Sequence, residues 1–269
     1  MKILFFGDIV GKTGRHAVRQ VLPGLKKKHK PDLVIANGEN AAHGIGLTVK
    51  TARELFDAGV DFLTGGNHMF DKQEQIAEVF AAYPEKVIRP ANFEGNYPGS
   101  GFVRLAVGEV SVLVINLNAQ VFMERQFDGL ISSPFKKLDE ILQSGPKSDI
   151  ILVDFHSEAT SEKRGLGFYA DGRASAVWGT HTHVQTNDAQ ILPGGTAYIS
   201  DVGMCGSAQS ILGVDKELVL RRFLSADKVS LEVEESAEAE IGYIVLEVDE
   251  KTGKAISIKS SLECSKVSM

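Results

Sequence analysis

The chain has 269 residues, of which 43% are hydrophobic and 24% are charged, a composition that excludes a disordered chain, a collagen-like repeat and a coiled coil. Its length favours one large domain over residues 1–269 with a small appendage, because single cores stop growing at about 250–300 residues. With 35 acidic and 29 basic side chains the net charge is −6, whereas proteins that grip long nucleic acids are normally basic. We therefore expect a small-molecule ligand and no long nucleic acid.

The cysteines and the first residues indicate a protein of a reducing compartment. Cys205 and Cys264 form no CxxC pair, which disfavours a disulfide framework and a structural zinc site. The apolar run at residues 3–6 ends at Gly7-Asp8 and is too short for a signal peptide or a membrane span. These features predict a cytoplasmic protein without a membrane partner. Cys205 is interpreted as a packed small residue rather than a nucleophile, because no dedicated base is evident for it.

The first two-thirds of the chain alternate continuous apolar runs, typical of buried strands, with runs whose apolar residues recur at helical spacing. The predicted strands are residues 3–6, 33–36, 62–64, 110–116, 150–154 and 176–178. The predicted helices are residues 15–28, 48–58 and 73–82, and one that starts at Ser133-Pro134 and ends at Gly145. Asp71 and Glu74 have the spacing of a capping box before the third helix. This alternation predicts an α/β fold with helices packed on the faces of sheets.

The glycine-rich segment after the first strand is not a phosphate-binding P-loop. Gly7 and Gly11 in Gly7-Asp8-Ile9-Val10-Gly11-Lys12-Thr13 are four residues apart, where that motif needs five. We interpret residues 11–14 as a tight turn that leads into the first helix.

The pattern changes after Gly203. A helix is predicted at residues 215–224 and strands at 229–233, 241–248 and 255–259, with a hairpin loop at 249–254. The chain is expected to close with an antiparallel second sheet or a sheet edge, and exposed strand edges predict a homo-oligomer. Gly203-Met204-Cys205-Gly206 is expected to begin a small lid over about residues 203–240.

Residues able to bind a metal fall where five predicted strands end. They are Asp8, the pair Glu39 and Asn40, the pair Asn67 and His68, His156, and the pair His181 and His183. In open α/β sheets, ligands bind beyond the carboxyl ends of the strands. These carboxylates, amides and imidazoles are therefore expected to share one rim of the sheet.

With these motifs the chain resembles the calcineurin-like metallophosphoesterases, and more closely their YmdB-type subfamily of bacterial cyclic-nucleotide phosphodiesterases. The matching stretches are Gly7-Asp8, Asn37-Gly38-Glu39-Asn40, Gly65-Gly66-Asn67-His68, the segment 154–163 around His156, and Gly179-Thr180-His181-Thr182-His183. Two departures from the broad family, Val10 in place of a histidine and Glu39 in place of an aspartate, are typical of the subfamily. The resemblance implies a sandwich of two mixed β-sheets flanked by helices.

The resemblance also implies two metal ions that share Glu39. One takes Asp8, Glu39, Asn40 and His183, and the other takes Glu39, Asn67, His156 and His181. A nitrogen and oxygen ligand set without thiolate suits iron, our first expectation, or manganese or zinc. Two such ions about 3.5–4 Å apart can hold a hydroxide that attacks phosphorus.

Further residues near these motifs are candidates for contact with substrate. His68 is assigned as the proton donor to the leaving oxygen, and its alternative role is to orient the site. His43, in a small-residue loop after the second strand, either approaches the substrate phosphate or caps the helix that starts at residue 48. Arg164 and Arg173 flank an expected mobile segment, residues 165–172, and are interpreted as solvated loop charges.

The expected function is hydrolysis of a nucleotide-sized phosphodiester. A cyclic nucleotide follows from the resemblance alone, and a 2',3'-cyclic and a 3',5'-cyclic ring both stay open. The alternatives are a phosphomonoesterase and a metal-bound regulatory protein that senses a nucleotide or an RNA-processing partner. Residues 232–250 carry −8, so the rest of the chain carries +2 of the total −6. This acidic segment is expected to lie away from the site.

Overall fold

The computed structural model of the protein describes residues 1–71, 73–123, 129–225 and 228–268. The strands are β1 (Lys2–Ile9), β2 (Leu33–Asn37), β3 (Phe62–Thr64), β4 (Phe102–Val107), β5 (Val110–Asn118), β6 (Ile150–His156), β7 (Ala176–Thr180), β8 (Gln190–Ile191), β9 (Ala197–Ile199), β10 (Met204–Ser207), β11 (Ser210–Ile211), β12 (Val214–Asp215), β13 (Glu238–Val248) and β14 (Ala255–Lys266). The helices are α1 (Gly11–His29), α2 (Val49–Ala58), α3 (Gln73–Ala82), α4 (Pro134–Ser144), α5 (Thr160–Ala170) and α6 (Lys216–Leu224), with a 3-10 helix at Asn67–Phe70.

Two mixed six-stranded sheets form the framework. The first has the order β14-β13-β10-β1-β2-β3, and the second has the order β4-β5-β6-β7-β9-β8. In the first sheet β10, β1, β2 and β3 are parallel, while β13 and β14 are antiparallel to their neighbours. In the second sheet β5, β6, β7 and β9 are parallel, and β4 and β8 are antiparallel edges. This architecture confirms the predicted α/β class and the two-sheet sandwich.

Side-chain alternation along β1 explains why the sheets stack. Ile3 and Phe5 belong to the apolar cluster between the two sheets, whereas Leu4 and Phe6 belong to the cluster on the helix side. The rings of Phe5 and Trp178 lie 4.5 Å apart across the interface between the sheets. Because both faces of β1 are buried, the strand is apolar at nearly every position until Gly7-Asp8.

Several predicted elements are present with longer bounds. Ser133 caps α4 by accepting a hydrogen bond from the Lys136 amide, as the Ser133-Pro134 pair predicts. The hairpin loop between β13 and β14 is closed by hydrogen bonds from the Asp249 amide to the Lys254 carbonyl and from the Gly253 amide to the Asp249 carbonyl. These two strands form an antiparallel edge of the first sheet and not a sheet of their own. Self-association through such an edge stays a prediction.

Two glycine-rich segments are helical where a turn or a mobile segment is expected. Residues 11–14 form the first turn of α1, and a Cβ atom on Gly14 would lie 2.1 Å from the Cys205 carbonyl oxygen. Residues 165–170 belong to α5, and a Cβ atom on Gly167 would lie 2.5 Å from the Tyr198 ring. In both places glycine allows a helix to approach a sheet closely. From the sequence pattern alone, the same glycines predict an interruption of the helix.

Met204–Ser207 form the buried strand β10 beside β1, so a lid does not begin at these residues. A small lid elsewhere within about residues 203–240 stays a prediction. The strand predicted at residues 229–233 is wrong, because the structure has no strand there. Val233 instead forms an isolated bridge with Val214 of the β11–β12 hairpin, and the Asp215 amide donates to the Glu232 carbonyl. Among the described residues, no helix has the length and apolar character needed to cross a membrane.

Candidate metal centre

The structure brings the predicted strand-end residues of both sheets together. Asp8 follows a bulge in β1, and its Oδ2 accepts a hydrogen bond of 3.1 Å from the amide of His181, which follows β7 in the other sheet. His156 ends β6, and its imidazole contacts Glu39, which follows β2. The rim predicted from strand ends therefore lies along one side of the sandwich and is built from both sheets.

Three ligand atoms crowd one imidazole nitrogen. His156 Nε2 lies 2.9 Å from Asn67 Oδ1, 3.0 Å from Glu39 Oε1 and 3.0 Å from His181 Nδ1. A single ring nitrogen carries either one hydrogen or one lone pair, so it cannot satisfy all three neighbours by hydrogen bonding. Four nitrogen and oxygen atoms converging in this way fit a metal ion of the iron, manganese or zinc type.

A second group of ligand atoms lies beside the first. Asp8 Oδ1 and Asn40 Oδ1 are buried, and neither has a hydrogen-bond partner among the described residues. His183 Nε2 lies 4.0 Å from Asp8 Oδ1 and 3.1 Å from the Asn40 amide nitrogen. Rotation of that amide by half a turn exchanges its nitrogen for the unpartnered oxygen. Buried polar atoms are costly without a partner, so these two oxygens fit a second cation position.

Glu39 connects the two groups. Its Oε1 contacts His156 and accepts a hydrogen bond of 3.3 Å from the Asn40 amide, and its Oε2 accepts one of 3.0 Å from the His68 amide. Burial of Glu39 opposes its charge, but the neighbouring His156 outweighs this and lowers its pKa to about 2. The carboxylate is therefore ionised at neutral pH, and it lies in contact with both groups of ligand atoms.

The remaining titratable ligands respond to burial and to each other. Burial lowers the pKa of His156, yet the adjacent Glu39 carboxylate raises it to about 9 in the protein alone. Burial, together with the charge of His156, lowers the pKa of His181 to about 3. Burial raises the pKa of Asp8. A dense cluster of this kind, with pKa values pushed apart, is characteristic of functional sites.

The segment that carries the last two histidines has an unusual backbone. His181 and His183 have φ angles of 100° and 63°, in the left-handed region that non-glycine residues rarely adopt. Thr182 between them donates hydrogen bonds from its amide and its hydroxyl to Asp201 Oδ2. The buried Lys163 ammonium donates both to Asp201 Oδ2 and to the Thr180 carbonyl. This charged pair fixes the loop and with it both imidazoles.

His68 and His43 border the ligand cluster. His68 Nδ1 lies 2.6 Å from Asp71 Oδ2; burial lowers the pKa of His68, but the Asp71 contact outweighs it and the net shift is upward. His43 has a φ angle of 56° and lines the cavity above the cluster. Thr48 itself caps α2 by accepting from the Thr51 amide, so the helix-capping alternative for His43 is wrong.

The two arginines take structural roles at the surface. Arg164 lies 3.7 Å from Asp188 and stacks near the Phe168 ring. Arg173 bonds to Asp139 at 2.5 Å. Cys205 is fully buried, and burial raises the pKa of its thiol, which confirms that it is a packed residue.

Residues that support the ligands lie within the same sequence motifs, but no role is predicted for them from the sequence. Thr180 Oγ1 donates to Asp154 Oδ1 at 2.8 Å and contacts His156 Nδ1 at 2.9 Å, so that His156 presents Nε2 to the cluster. Burial raises the pKa of Asp154 to about 7, while Thr64 and Asn37 also donate to its Oδ2. One signal was available: Asp154 precedes His156 by two residues on β6 and therefore faces the same side of the sheet.

A cavity of about 680 Å³ opens above the ligand cluster. It is lined by Glu39, Asn40 and the four histidines at positions 43, 68, 181 and 183, together with apolar and acidic residues further out. The expectation that the acidic segment lies away from the site is wrong at its start, because Glu232 and Glu235 also line this cavity. The volume falls in the range of small-molecule sites.

Comparison with known proteins agrees with this geometry. Residues 4–261 match the family described as YmdB-like protein. A 2',3'-cyclic-nucleotide 2'-phosphodiesterase of Bacillus subtilis (strain 168) is 46% identical over 263 residues, 97% of each chain. The crystal structure of a phosphatase from Mycoplasma pneumoniae has a TM-score of 0.92 at 33% identity, covering 99% of this chain and 94% of that one. A hypothetical protein of Thermus thermophilus has a TM-score of 0.90 at 40% identity, covering 98% and 99%. The chain belongs to the YmdB-like family of calcineurin-like metallophosphoesterases, and it is a phosphoesterase.

Proposed function

We propose that the chain is a dinuclear metal-dependent phosphodiesterase that hydrolyses a 2',3'-cyclic nucleotide. The observation that carries the proposal is the crowding of Glu39, Asn67 and His181 around His156 Nε2, beside the buried unpartnered oxygens of Asp8 and Asn40. The name of the Bacillus subtilis relative supports the 2',3'-cyclic over the 3',5'-cyclic ring. A cavity of about 680 Å³ has room for a mononucleotide.

The ligands divide between two cation positions. Asp8, Asn40 and His183 belong to one position and Asn67, His156 and His181 to the other, with Glu39 shared. Two bound divalent cations supply Lewis-acid polarisation of the phosphate oxygens and lower the pKa of a bound water. The donor set suits iron first, with manganese or zinc as alternatives. Elemental analysis of the purified protein should find two such atoms per chain, and a metal-free protein with full activity would refute the assignment.

His68 is the residue placed to move a proton. Its Nδ1 is engaged by Asp71, which leaves Nε2 as the nitrogen available to a substrate. As water attacks phosphorus and the bond to the 2' oxygen breaks, His68 gives a proton to that oxygen, and a 3'-phosphate remains. His43 lines the same cavity and is placed to contact the substrate phosphate.

Substrate preference tests the proposed reaction. The metal-loaded protein should convert 2',3'-cyclic AMP to 3'-AMP, identified by chromatography, and should prefer bis-p-nitrophenyl phosphate to p-nitrophenyl phosphate. A preference for the monoester would identify a phosphomonoesterase instead.

The role of His68 is tested by changing the leaving group. His68→Ala should lose about 100-fold or more in kcat on 2',3'-cyclic AMP, whose alkoxide needs a proton to leave. The loss on bis-p-nitrophenyl phosphate should be smaller, because nitrophenolate leaves without protonation. His16→Ala, on the exposed side of α1, is the matched control and should behave like the unaltered protein. Equal losses on both substrates would remove His68 from the role of proton donor.

A further inference from the structure

Part of the lining of the cavity above the ligand cluster is apolar, and we call this part its apolar half. It is lined by Val10, Ile45, Leu212, Val214, Leu231 and Val233. Ile45, Leu212 and Leu231 are 42%, 47% and 40% exposed, although each is a large apolar side chain. Exposed apolar side chains gathered around one cavity are typical of a binding groove, since they gain from being covered.

The charged side chains of the apolar half are all acidic. Glu158 belongs to the floor of the cavity, because its carboxylate lies 3.2 Å from His181 Nε2. Apart from it, the ligand cluster and the histidines, the charged residues that line the cavity are Glu232 and Glu235. No lysine or arginine lines the cavity in the part of the chain that the structure describes. A second phosphate group placed here would face carboxylates without any cationic partner, and such like-charge juxtaposition opposes binding.

The two halves suit the two ends of one small molecule. The nitrogen and oxygen cluster at the floor attracts a single phosphodiester once cations are bound. The apolar half accepts a flat, weakly polar body such as a nucleobase, whose burial against Ile45, Leu212 and Leu231 is favourable. The apolar half offers no cationic side chain, among the described residues, to bind a further phosphate.

We propose that the apolar half is a nucleoside subsite whose carboxylates select nucleosides with a single phosphodiester and reject those that carry additional phosphates. The inference rests on the proposed function and adds its specificity. Free 2',3'-cyclic nucleotides are then good substrates, whereas a cyclic nucleotide with a 5'-phosphate, or an RNA chain that ends in a 2',3'-cyclic phosphate, is a poor one.

Kinetic comparison of two substrates tests this selectivity. The value of kcat/KM for 2',3'-cyclic AMP should exceed that for its 5'-phosphorylated form by about tenfold or more at low ionic strength, and added salt should reduce the ratio. The double variant Glu232→Gln/Glu235→Gln should reduce the ratio at least threefold. Glu234→Gln lies in the same segment but does not line the cavity, and it should leave the ratio unchanged. A ratio near one, or one that responds equally to both variants, would overturn the inference.

The apolar contact is tested separately. Leu231→Ser should raise KM for 2',3'-cyclic AMP at least threefold with little change in kcat, because the base loses a contact while the reacting groups keep theirs. An unchanged KM would argue against the subsite.

A binding measurement separates this inference from the proposed reaction. By calorimetry, 3'-AMP should bind about tenfold more tightly than adenosine 3',5'-bisphosphate, whether or not turnover occurs. Equal affinities contradict the subsite, even if 2',3'-cyclic AMP is hydrolysed. Discrimination in binding without hydrolysis of either cyclic nucleotide contradicts the proposed reaction alone.

Discussion

Gly66 is a residue whose missing side chain leaves room for the ligand cluster. A Cβ atom there would lie 2.2 Å from Glu39 Oε2 and 2.5 Å from His156 Nε2, while the backbone itself is extended and unstrained. Because the atoms in the way are ligands and not flexible chain ends, Gly66→Ala should displace them and reduce bound metal to a small fraction. Elemental analysis of the purified variant measures the loss.

Gly38 provides the matched control for this substitution. It lies in the neighbouring motif, but the atoms nearest to a Cβ there belong to Leu63 and Leu47, at ordinary contact distances of 3.5–3.6 Å. Gly38→Ala should therefore retain its metal. If both variants keep full metal content, the close approach at Gly66 is not a constraint on the cluster.

The Thr180 hydroxyl orients the His156 imidazole through the ring nitrogen that faces away from the ligand cluster. It connects Asp154 to His156 Nδ1 and so directs His156 Nε2 towards the cluster. Thr180→Val keeps the shape and removes the hydroxyl, and the affinity for metal should fall by about 10–100-fold, as for other partners of ligating histidines. Competition with a chelator measures the affinity. Thr180→Ser restores the hydroxyl and should restore most of the affinity; an equal defect in both variants would assign the effect to packing.

At the scale of elements, a buried ion pair attaches α5 to the loop that carries His181 and His183. Lys163 and Asp201 are both almost fully buried, and their contact of 2.5 Å is joined by donors from Thr182. Lys163→Met leaves the Asp201 carboxylate buried without its counter-ion, which should cost about 3–5 kcal/mol of unfolding free energy. Urea denaturation measures this difference.

The exposed pair Arg173–Asp139 is the comparison, since its side chains remain in contact with solvent. Arg173→Met should change the unfolding free energy much less than Lys163→Met. Similar losses in the two variants would mean that burial of the Lys163 pair adds nothing to the stability.

The elements recognised from sequence are those with strong local patterns. The continuous apolar runs of β5 and β6 and the spaced apolar residues of α2 follow from which face each element buries. The edge strand β4 alternates half-buried and exposed residues, and β8 and β9 have two and three residues, so local patterning marks them weakly. The glycines within α5 make the helix hard to recognise from sequence. Gly167 is explained by close contact with the ring of Tyr198, which lies 31 residues later in the chain.

Within the candidate site, too, some residues follow from local sequence patterns and others depend on contacts between distant parts of the chain. Each of the residues assigned to the cations follows or ends a strand, so a general rule about strand ends brings them together. Lys163 and Asp201 are 38 residues apart, and Asp154 and Thr180 are 26 apart. These two pairs form because β6, β7 and α5 pack together, and no local sequence pattern specifies that packing. Glu232 and Glu235 reach the cavity only because residues 229–233 fold back against the β11–β12 hairpin.

At the scale of the whole molecule, the residues of the proposed cation positions come from both sheets. Asp8, Glu39, Asn40 and Asn67 come from the first sheet, and His156, His181 and His183 come from the second. A cation bound by both sheets stabilises the folded state by mass action, so chelation should lower Tm by about 5–10 °C. Differential scanning calorimetry with and without chelator measures the shift, and re-addition of metal should reverse it.

Gly66→Ala supplies the control for this shift, since a protein that has lost its cations should not respond to the chelator. An equal decrease of Tm in the variant would point to a metal elsewhere in the chain.

The position of β1 in the first sheet has a consequence for how the protein is made. This strand lies between β2, which follows it closely, and β10 and β13, which are translated about 200 and about 230 residues later. Until the last quarter of the chain emerges from the ribosome, one edge of an almost wholly apolar strand has no partner and can associate with other nascent chains. The His181–His183 loop is translated about 20 residues before β10, so both become available late in synthesis. Completion of the first sheet, and of the proposed cation positions beside it, is thus a late step of synthesis, and we expect the growing chain to need protection from aggregation until then.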